Sequence, residues 1–263
     1  MATEIHATAI VEKGAEIGEN VVIGPYCYVG PKVVLKDGVH LISHAWVGGD
    51  TVVGEGTEIS PFAAIGGKNQ DLKDKEKAGK LVIGKNNSIR EYATMQPGTP
   101  DDHGITTVGD NGLFMIGIHI AHDCVVGNNI IMSNNATLAG HVHVGDNAIV
   151  GGMSAVHQFT RIGSYAMVGG MCAVARDVVP YALVDRDGLT GVNIIGLKRH
   201  GFKLDAIKAL QTAIDKIFGG EGVMSERIDE VKAAYPDCEP VQNLVAFMQA
   251  DSKRSFLHPA PKA

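Results

Sequence analysis

The sequence predicts a mainly β fold: a parallel β-helix of hexapeptide repeats followed by a small α-helical C-terminal domain. Three observations carry that prediction. Aliphatic residues recur at every sixth position from Ile5 through Val11, Ile17, Ile23, Val29, Leu35, Leu41, Val47, Val53 and Ile59 to Ile65, and again at Ile83, Ile89 and Met95. Shifted by one residue, the frame continues from Val108 through Phe114, Ile120, Val126, Met132, Leu138, Val144, Val150, Val156, Ile162 and Val168 to Val174. This period fits neither a helix nor an alternating strand. It suits one short strand and a turn per repeat, with three repeats closing a coil of about eighteen residues. Second, glycine is abundant at 33 of 263 residues and aromatics make up only 5%, as a narrow interior with frequent turns requires. Third, the spacing turns helical after the repeats end.

In chain order, residues 1–180 form the β-helix, with excursions near 67–80 and 97–106. The first is too polar to fill a core; the second holds Pro97-Gly98, Pro100 and Asp101-Asp102, all turn formers. Insertions in solenoids emerge on one face, often the binding face. Small residues directly follow many frame positions, among them Gly18, Gly24 and Gly54. Pro180 closes the last coil, and residues 181–196 read as an irregular connector. Residues 197–263 form the helical domain. Ile207, Leu210, Ile214 and Ile217 mark one helix, ended by Gly219-Gly220. Ser225 is placed to cap a second, stopped by Pro236. Val241, Leu244, Val245 and Met248 mark a third, with Pro240 in its first turn.

The formal charge of −6 argues against a general nucleic-acid binder. Cys27, Cys124, Cys172 and Cys238 lie far apart without a CxxC spacing, which points to a reduced, cytoplasmic protein. No apolar run is long enough for a transmembrane segment, and the first residues lack the regions of a signal peptide.

Chemistry concentrates where histidines do: His119, His122, His141, His143 and His157, none of them at an inward frame position. Such a cluster suits either transition-metal binding or general-base catalysis. The His119–His122 interval does not match the spacing of the trimeric metal-binding β-helices, so the base reading is preferred and no metal is expected. Asp123, directly after His122, could orient the base.

The blocks His119-Ile120-Ala121-His122-Asp123-Cys124, Asn134-Asn135-Ala136-Thr137-Leu138-Ala139-Gly140-His141 and Gly151-Gly152-Met153-Ser154-Ala155-Val156-His157-Gln158-Phe159 resemble the acyl-carrier-protein–UDP-N-acetylglucosamine O-acyltransferases that begin lipid A synthesis. Asn69-Gln70-Asp71-Leu72-Lys73 and Gly191-Val192-Asn193-Ile194-Ile195-Gly196-Leu197-Lys198-Arg199 extend the likeness. The resemblance implies a left-handed β-helix and a homotrimer with active sites between subunits. It further implies His122 as the base that deprotonates the glucosamine 3-hydroxyl, Asp123 as its orienting partner, and the Gly140 N–H as oxyanion donor. Gln70, Asp71 and Lys73, with His119, His141, His157 and Gln158, would hold the sugar nucleotide. Asn193 and Arg199 would reach its UDP end, and Gly170 would serve as a ruler for the acyl chain. The acyl group would arrive on the phosphopantetheine of acyl carrier protein, with no metal or dissociable cofactor. Lys198, Arg199, Lys203 and Lys208 offer that acidic partner a docking surface.

The chain departs from the family pattern at the substrate side. Gln96-Pro97 stands where many members have histidine and arginine, Ile195 replaces an acidic residue, and His200 replaces a second arginine. Gln96 therefore suggests an alternative, N-acylation of the 3-amino analogue of UDP-N-acetylglucosamine. Another hexapeptide acyltransferase, using acyl-CoA, would share the frame and the histidine base but not these blocks.

Overall fold

The computed structural model describes residues 2–72, 79–100 and 102–260. Among the described residues its repeats are mostly two-residue strands joined by turns, with four-residue strands at Asp50–Val53, Lys80–Ile83 and Ile105–Val108, wound into three sheets of eleven, nine and eight strands that are parallel but for the last pair of the first. The first sheet begins at Glu4–Ile5, the second at Ile10–Val11 and the third at Glu16–Ile17. Register advances by one coil per rung: Glu4 pairs with Val22, Ile10 with Tyr28 and Glu16 with Val34. Each strand turns its frame residue inward, so Ile23, Val29, Leu35 and Leu41 are at most 1% exposed. Ile5, in the outermost coil, remains half exposed.

The glycines behind the frame residues have a different task from the one their sequence position suggests. The left-handed turn residue comes two positions later, as at Asn20, Asn129 and Asn147. At Gly24 and Gly54 a Cβ would collide with the carbonyl of the neighbouring coil, at Ile42 and Gly84. These glycines permit close stacking of coils rather than the turn itself.

Residues 181–196 are more regular than predicted. Ala182–Asp185 adds a parallel strand to Met167–Val168, then pairs antiparallel with Gly188–Val192. Such a short hairpin leaves too few alternations to be read from sequence. Helix α1 (Ile194–Arg199) follows, then α2 (Leu204–Gly219), α3 (Met224–Ala234) and α4 (Glu239–Gln249). The predicted apolar faces of α2 and α4 are buried. Ser225 does not cap α3: the helix starts one residue earlier, with Val223 at the N-cap and no side-chain bond. The chain end returns to the β-helix, where the Asp177 N–H donates to Ser255 O and the Leu257 N–H to Asp177 O. The helical domain is thus tied to the last coil at both of its ends.

Candidate active site

Three corners join the sheets, and the chemistry gathers at the one between the second and third. Both excursions leave from it: the first connects Ala64–Ile65 to Lys80–Ile83, the second Thr94–Met95 to Ile105–Val108. On the next coils the same corner carries His122-Asp123, Gly140-His141 and Gln158-Phe159. Asp123, His141 and Phe159 occupy equivalent left-handed turn positions, at φ 58°, 62° and 63°. Their shared conformation stacks the side chains into a column. The imidazoles of His122 and His141 meet edge to face at 5.0 Å, and His141 stacks on Phe159 at 4.4 Å.

His122 and Asp123 form a dyad. His122 Nδ1 lies 2.9 Å from Asp123 Oδ2, the carboxylate being fully buried and the imidazole 14% exposed. Asp123 is further held by the Thr99 N–H at 2.9 Å and the Thr99 hydroxyl at 2.6 Å. Burial works against its charge, but the bonds from Thr99 and His122 outweigh it and hold the carboxyl below the usual aspartate range. An ionised acceptor at Nδ1 places the His122 proton there and leaves Nε2 with a lone pair, the state a general base needs. Gly140 lies against that nitrogen, since a Cβ on it would come within 2.6 Å of Nε2. Its N–H has no acceptor among the described residues.

The neighbouring histidines are fixed in their turn. His141 Nδ1 lies 2.6 Å from Asp102 Oδ2. His157 Nδ1 lies 2.9 Å from Arg254 Nη2, and Arg254 Nε donates to Gln158 O at 3.0 Å. His157 Nδ1 also lies 3.2 Å from Gln158 O, so the guanidinium and this carbonyl converge on one ring nitrogen and leave Nε2 facing outward. His119 bonds the Thr94 hydroxyl at 2.7 Å. Burial, with nearby His122 adding, pulls its pKa below the usual histidine range. Burial pushes the Cys124 thiol up to about 12, so it stays protonated beside the dyad.

The first excursion brings Gln70, exposed, and Asp71, half-buried, to this corner; Lys73 lies outside the described residues. Gln96 is buried there at 5% exposure. Its Nε2 donates to Lys68 O at 3.2 Å, and its Oε1 has no partner among the described residues.

Four expected residues are not beside the dyad in this chain. Asn193 caps α1 by accepting from the Gly196 N–H, and its Nδ2 donates to Tyr165 O. With Arg199 and His200 it lies by the corner between the third and first sheets, where His200 packs against Tyr165. Gly170 is at the corner between the first and second sheets, over Gly152. Only the outer face of the second sheet separates Gly170 from Gly140, and there Ala155 and Ala173 are exposed.

Ligand atoms of His122, Asp123 and His141 lie within 4.8 Å of one another, as do those of Asp102, His103 and Asp123. Their Nδ1 atoms already face carboxylates, so a cation would have to displace these pairings. Sequence reasoning missed Thr99, His103, Arg254 and Lys253, whose ammonium sits 4.2 Å above the Phe159 ring. It read Asp102 only as a turn former. The placement of the second excursion on the corner of the clustered histidines was the available signal for Thr99, Asp102 and His103. Nothing local announces the return of the chain end.

A histidine–carboxylate dyad with a free outer nitrogen, set against a glycine on a hexapeptide β-helix, defines a hexapeptide-class acyltransferase. Residues 2–37 match the family model for bacterial transferase hexapeptide repeats, and residues 177–257 match that for domain 2 of UDP N-acetylglucosamine O-acyltransferase. The chain belongs to the family of acyl-[acyl-carrier-protein]–UDP-N-acetylglucosamine O-acyltransferases. The Rhizobium johnstonii member is 47% identical, over 98% of this chain and 96% of its own length. The Rickettsia typhi member is 50% identical, over 97% and 98%. The structure of LpxA from Acinetobacter baumannii matches with a TM-score of 0.93 and 41% identity, over 96% of this chain and 98% of that one. The fold is accordingly a left-handed parallel β-helix with a small helical C-terminal domain.

Proposed function

We propose that this chain transfers a 3-hydroxyacyl group from acyl carrier protein to the 3-hydroxyl of UDP-N-acetylglucosamine, the first step of lipid A biosynthesis, with His122 as general base. The observation that carries the reading is the dyad beside Gly140, in a chain that spans nearly the full length of relatives bearing that name. His122 Nε2 takes the proton of the 3-hydroxyl as its oxygen attacks the thioester carbonyl, and Asp123 balances the imidazolium that forms. The Gly140 N–H donates to the tetrahedral oxyanion. Collapse breaks the carbon–sulfur bond, and His122 returns its proton to the departing phosphopantetheine thiolate. The products are the sugar ester and the free-thiol carrier protein. No metal or dissociable cofactor enters this scheme.

Several features support the finer assignments. His119, His141, His157 and Gln158 lie on the coils at and above the base and, with Gln70 and Asp71 of the first excursion, would hold the sugar. Asn193, Arg199 and His200 lie at another corner, so a homotrimer would bring them to the dyad from a neighbouring subunit. Leu113, Ile131, Ile149 and Met167 give the first sheet an apolar, half-buried outer face suited to such a contact. Lys198, Lys203 and Lys208 are exposed among exposed Ile194, Ile195 and Leu204, a cationic and apolar surface that fits an acidic carrier protein. The strip past Ala155 and Ala173 to Gly170 would take the acyl chain. No helix among the described residues is long and apolar enough to cross a membrane, and a cytoplasmic location agrees with the free cysteines.

The test incubates purified protein with 3-hydroxyacyl carrier protein and UDP-N-acetylglucosamine and identifies the product by mass. Ester formation that falls by about a thousandfold in His122→Ala is the expected result; retained turnover removes His122 as the base. The Oε1 of Gln96, without a partner among the described residues, favours one second reading, in which a substrate amine donates to it. Amide formed only on the 3-amino analogue would establish that alternative. Activity retained after chelation would argue against a catalytic metal.

A further inference from the structure

We propose that His103 is a positioning residue for this reaction: it binds the Asp123 oxygen opposite His122 and, by sharing that carboxylate's charge, sets the pH at which the base becomes available. The inference rests on the reading of His122 as general base. Asp123 is fully buried, and its two oxygens are divided between partners. Oδ2 takes His122 at 2.9 Å and the Thr99 hydroxyl at 2.6 Å. Oδ1 takes His103 Nδ1 at 3.2 Å, and the Thr99 N–H is shared between Oδ1 at 2.9 Å and Oδ2 at 3.1 Å. A single carboxylate thus carries two imidazoles, one on each oxygen.

The two imidazoles reach it by different routes. His122 comes from the coil and is 14% exposed, whereas His103 comes from the second excursion and is 39% exposed. Among the described residues, the other titratable or charged groups around the pair are few. His119, which faces His122, is bonded to the Thr94 hydroxyl; His141 is bonded to Asp102, His143 and Arg161 lie on the adjoining outer face of the third sheet, and Cys124 holds its proton. None of these bonds the Asp123 carboxylate, so among the described residues His103 is the one titratable group besides His122 that does.

A donor on Oδ1 drains negative charge from the carboxylate. The imidazolium of His122 is then less stabilised, and the base is freed at lower pH. A proton gained by His103 strengthens the same effect, so both of its charge states act in one direction. Thr99 and the turn continue to hold Asp123 when His103 is removed, which separates the electrostatic role from a structural one.

The experiment compares kcat/KM against pH for the wild type, His103→Ala, His103→Gln and His122→Ala, with melting curves for each. His103→Ala should move the acid limb upward by about half a pH unit. His103→Gln, which can restore a donor, should bring it most of the way back. Superimposable limbs for wild type and His103→Ala overturn the proposal, as does a loss of rate uniform across pH. Turnover surviving in His122→Ala withdraws the general-base reading itself, and this proposal with it.

Discussion

Gly140→Ala tests the geometry of the site most directly. The backbone of Gly140 is not in the left-handed region, so alanine suits its conformation and restricts the unfolded chain, a change that usually stabilises slightly. The obstacle is His122, because the new Cβ would lie 2.6 Å from both Cε1 and Nε2 of the imidazole. That is roughly 1 Å short of ordinary contact between carbon atoms. The ring is the movable party, and moving it strains the 2.9 Å bond to Asp123 while it leans towards His141. A displacement of this size at a catalytic group costs on the order of a hundredfold in rate. A hundredfold is about 2.7 kcal/mol, within the roughly 1.5–3 kcal/mol of a charged hydrogen bond such as the one in the dyad. The substituted residue keeps its N–H, so the effect would come from displaced chemistry rather than a missing donor. Product formation by mass spectrometry, alongside a melting curve, is the assay. A variant that still unfolds cooperatively, no more than about 10 °C below the wild type, but turns over a hundredfold more slowly is expected. Turnover within threefold of the wild type would refute the packing of His122 on Gly140 as the arrangement that matters.

Other expectations concern acid stability, chain length and docking. Asp123 has a lowered pKa in the folded protein, so its stabilising contribution is complete above the unfolded aspartate range and is lost as pH falls through the folded value. Acid unfolding below about pH 4 should therefore be less pH-dependent in Asp123→Asn, as followed by circular dichroism. Gly170→Met would project from a backbone whose Cβ position is already 3.3 Å from Gly152 O. Competition between carrier proteins bearing different acyl lengths should show the longer chains falling behind by roughly tenfold or more. Reversing the charges of Lys198, Lys203 and Lys208 together should raise the KM for acyl carrier protein by about tenfold and flatten its salt dependence. An unchanged KM would move the docking surface elsewhere.

The frame was legible because a solenoid repeats one local instruction, and each inward residue such as Leu41 or Ile120 meets the apolar frame residues of the coils above and below, Ile23 and Ile59 or Met95 and Leu138. The apolar faces of α2 and α4 were legible for a similar reason. The hairpin at Ala182–Asp185 and Gly188–Val192 was not, being too short to establish a period. Ser225 misled because a good capping residue two positions past the N-cap, inside the first turn, makes no cap. Within the site, His122 and Asp123 were visible as neighbours in sequence, and their contact follows from a single turn. Asp102 on His141, separated by 39 residues, and Arg254 on His157, separated by 97, depend on how a loop and a chain end return. Spacing alone carries no record of either return.

The second excursion also has a mechanical consequence. The hexad frame is one residue out of step between Met95 and Val108, yet Met95 pairs with Ile120 and Ile83 with Val108 in unbroken register. The loop between them absorbs the offset as an expansion joint does in a rigid track. Length changes within the joint can leave the coils in phase while they relocate Thr99, Asp102 and His103. The same change inside a coil would turn the following inward residues towards water. Insertions and deletions in this chain should therefore divide cleanly, with those in the joint altering catalysis and those in the coils preventing folding.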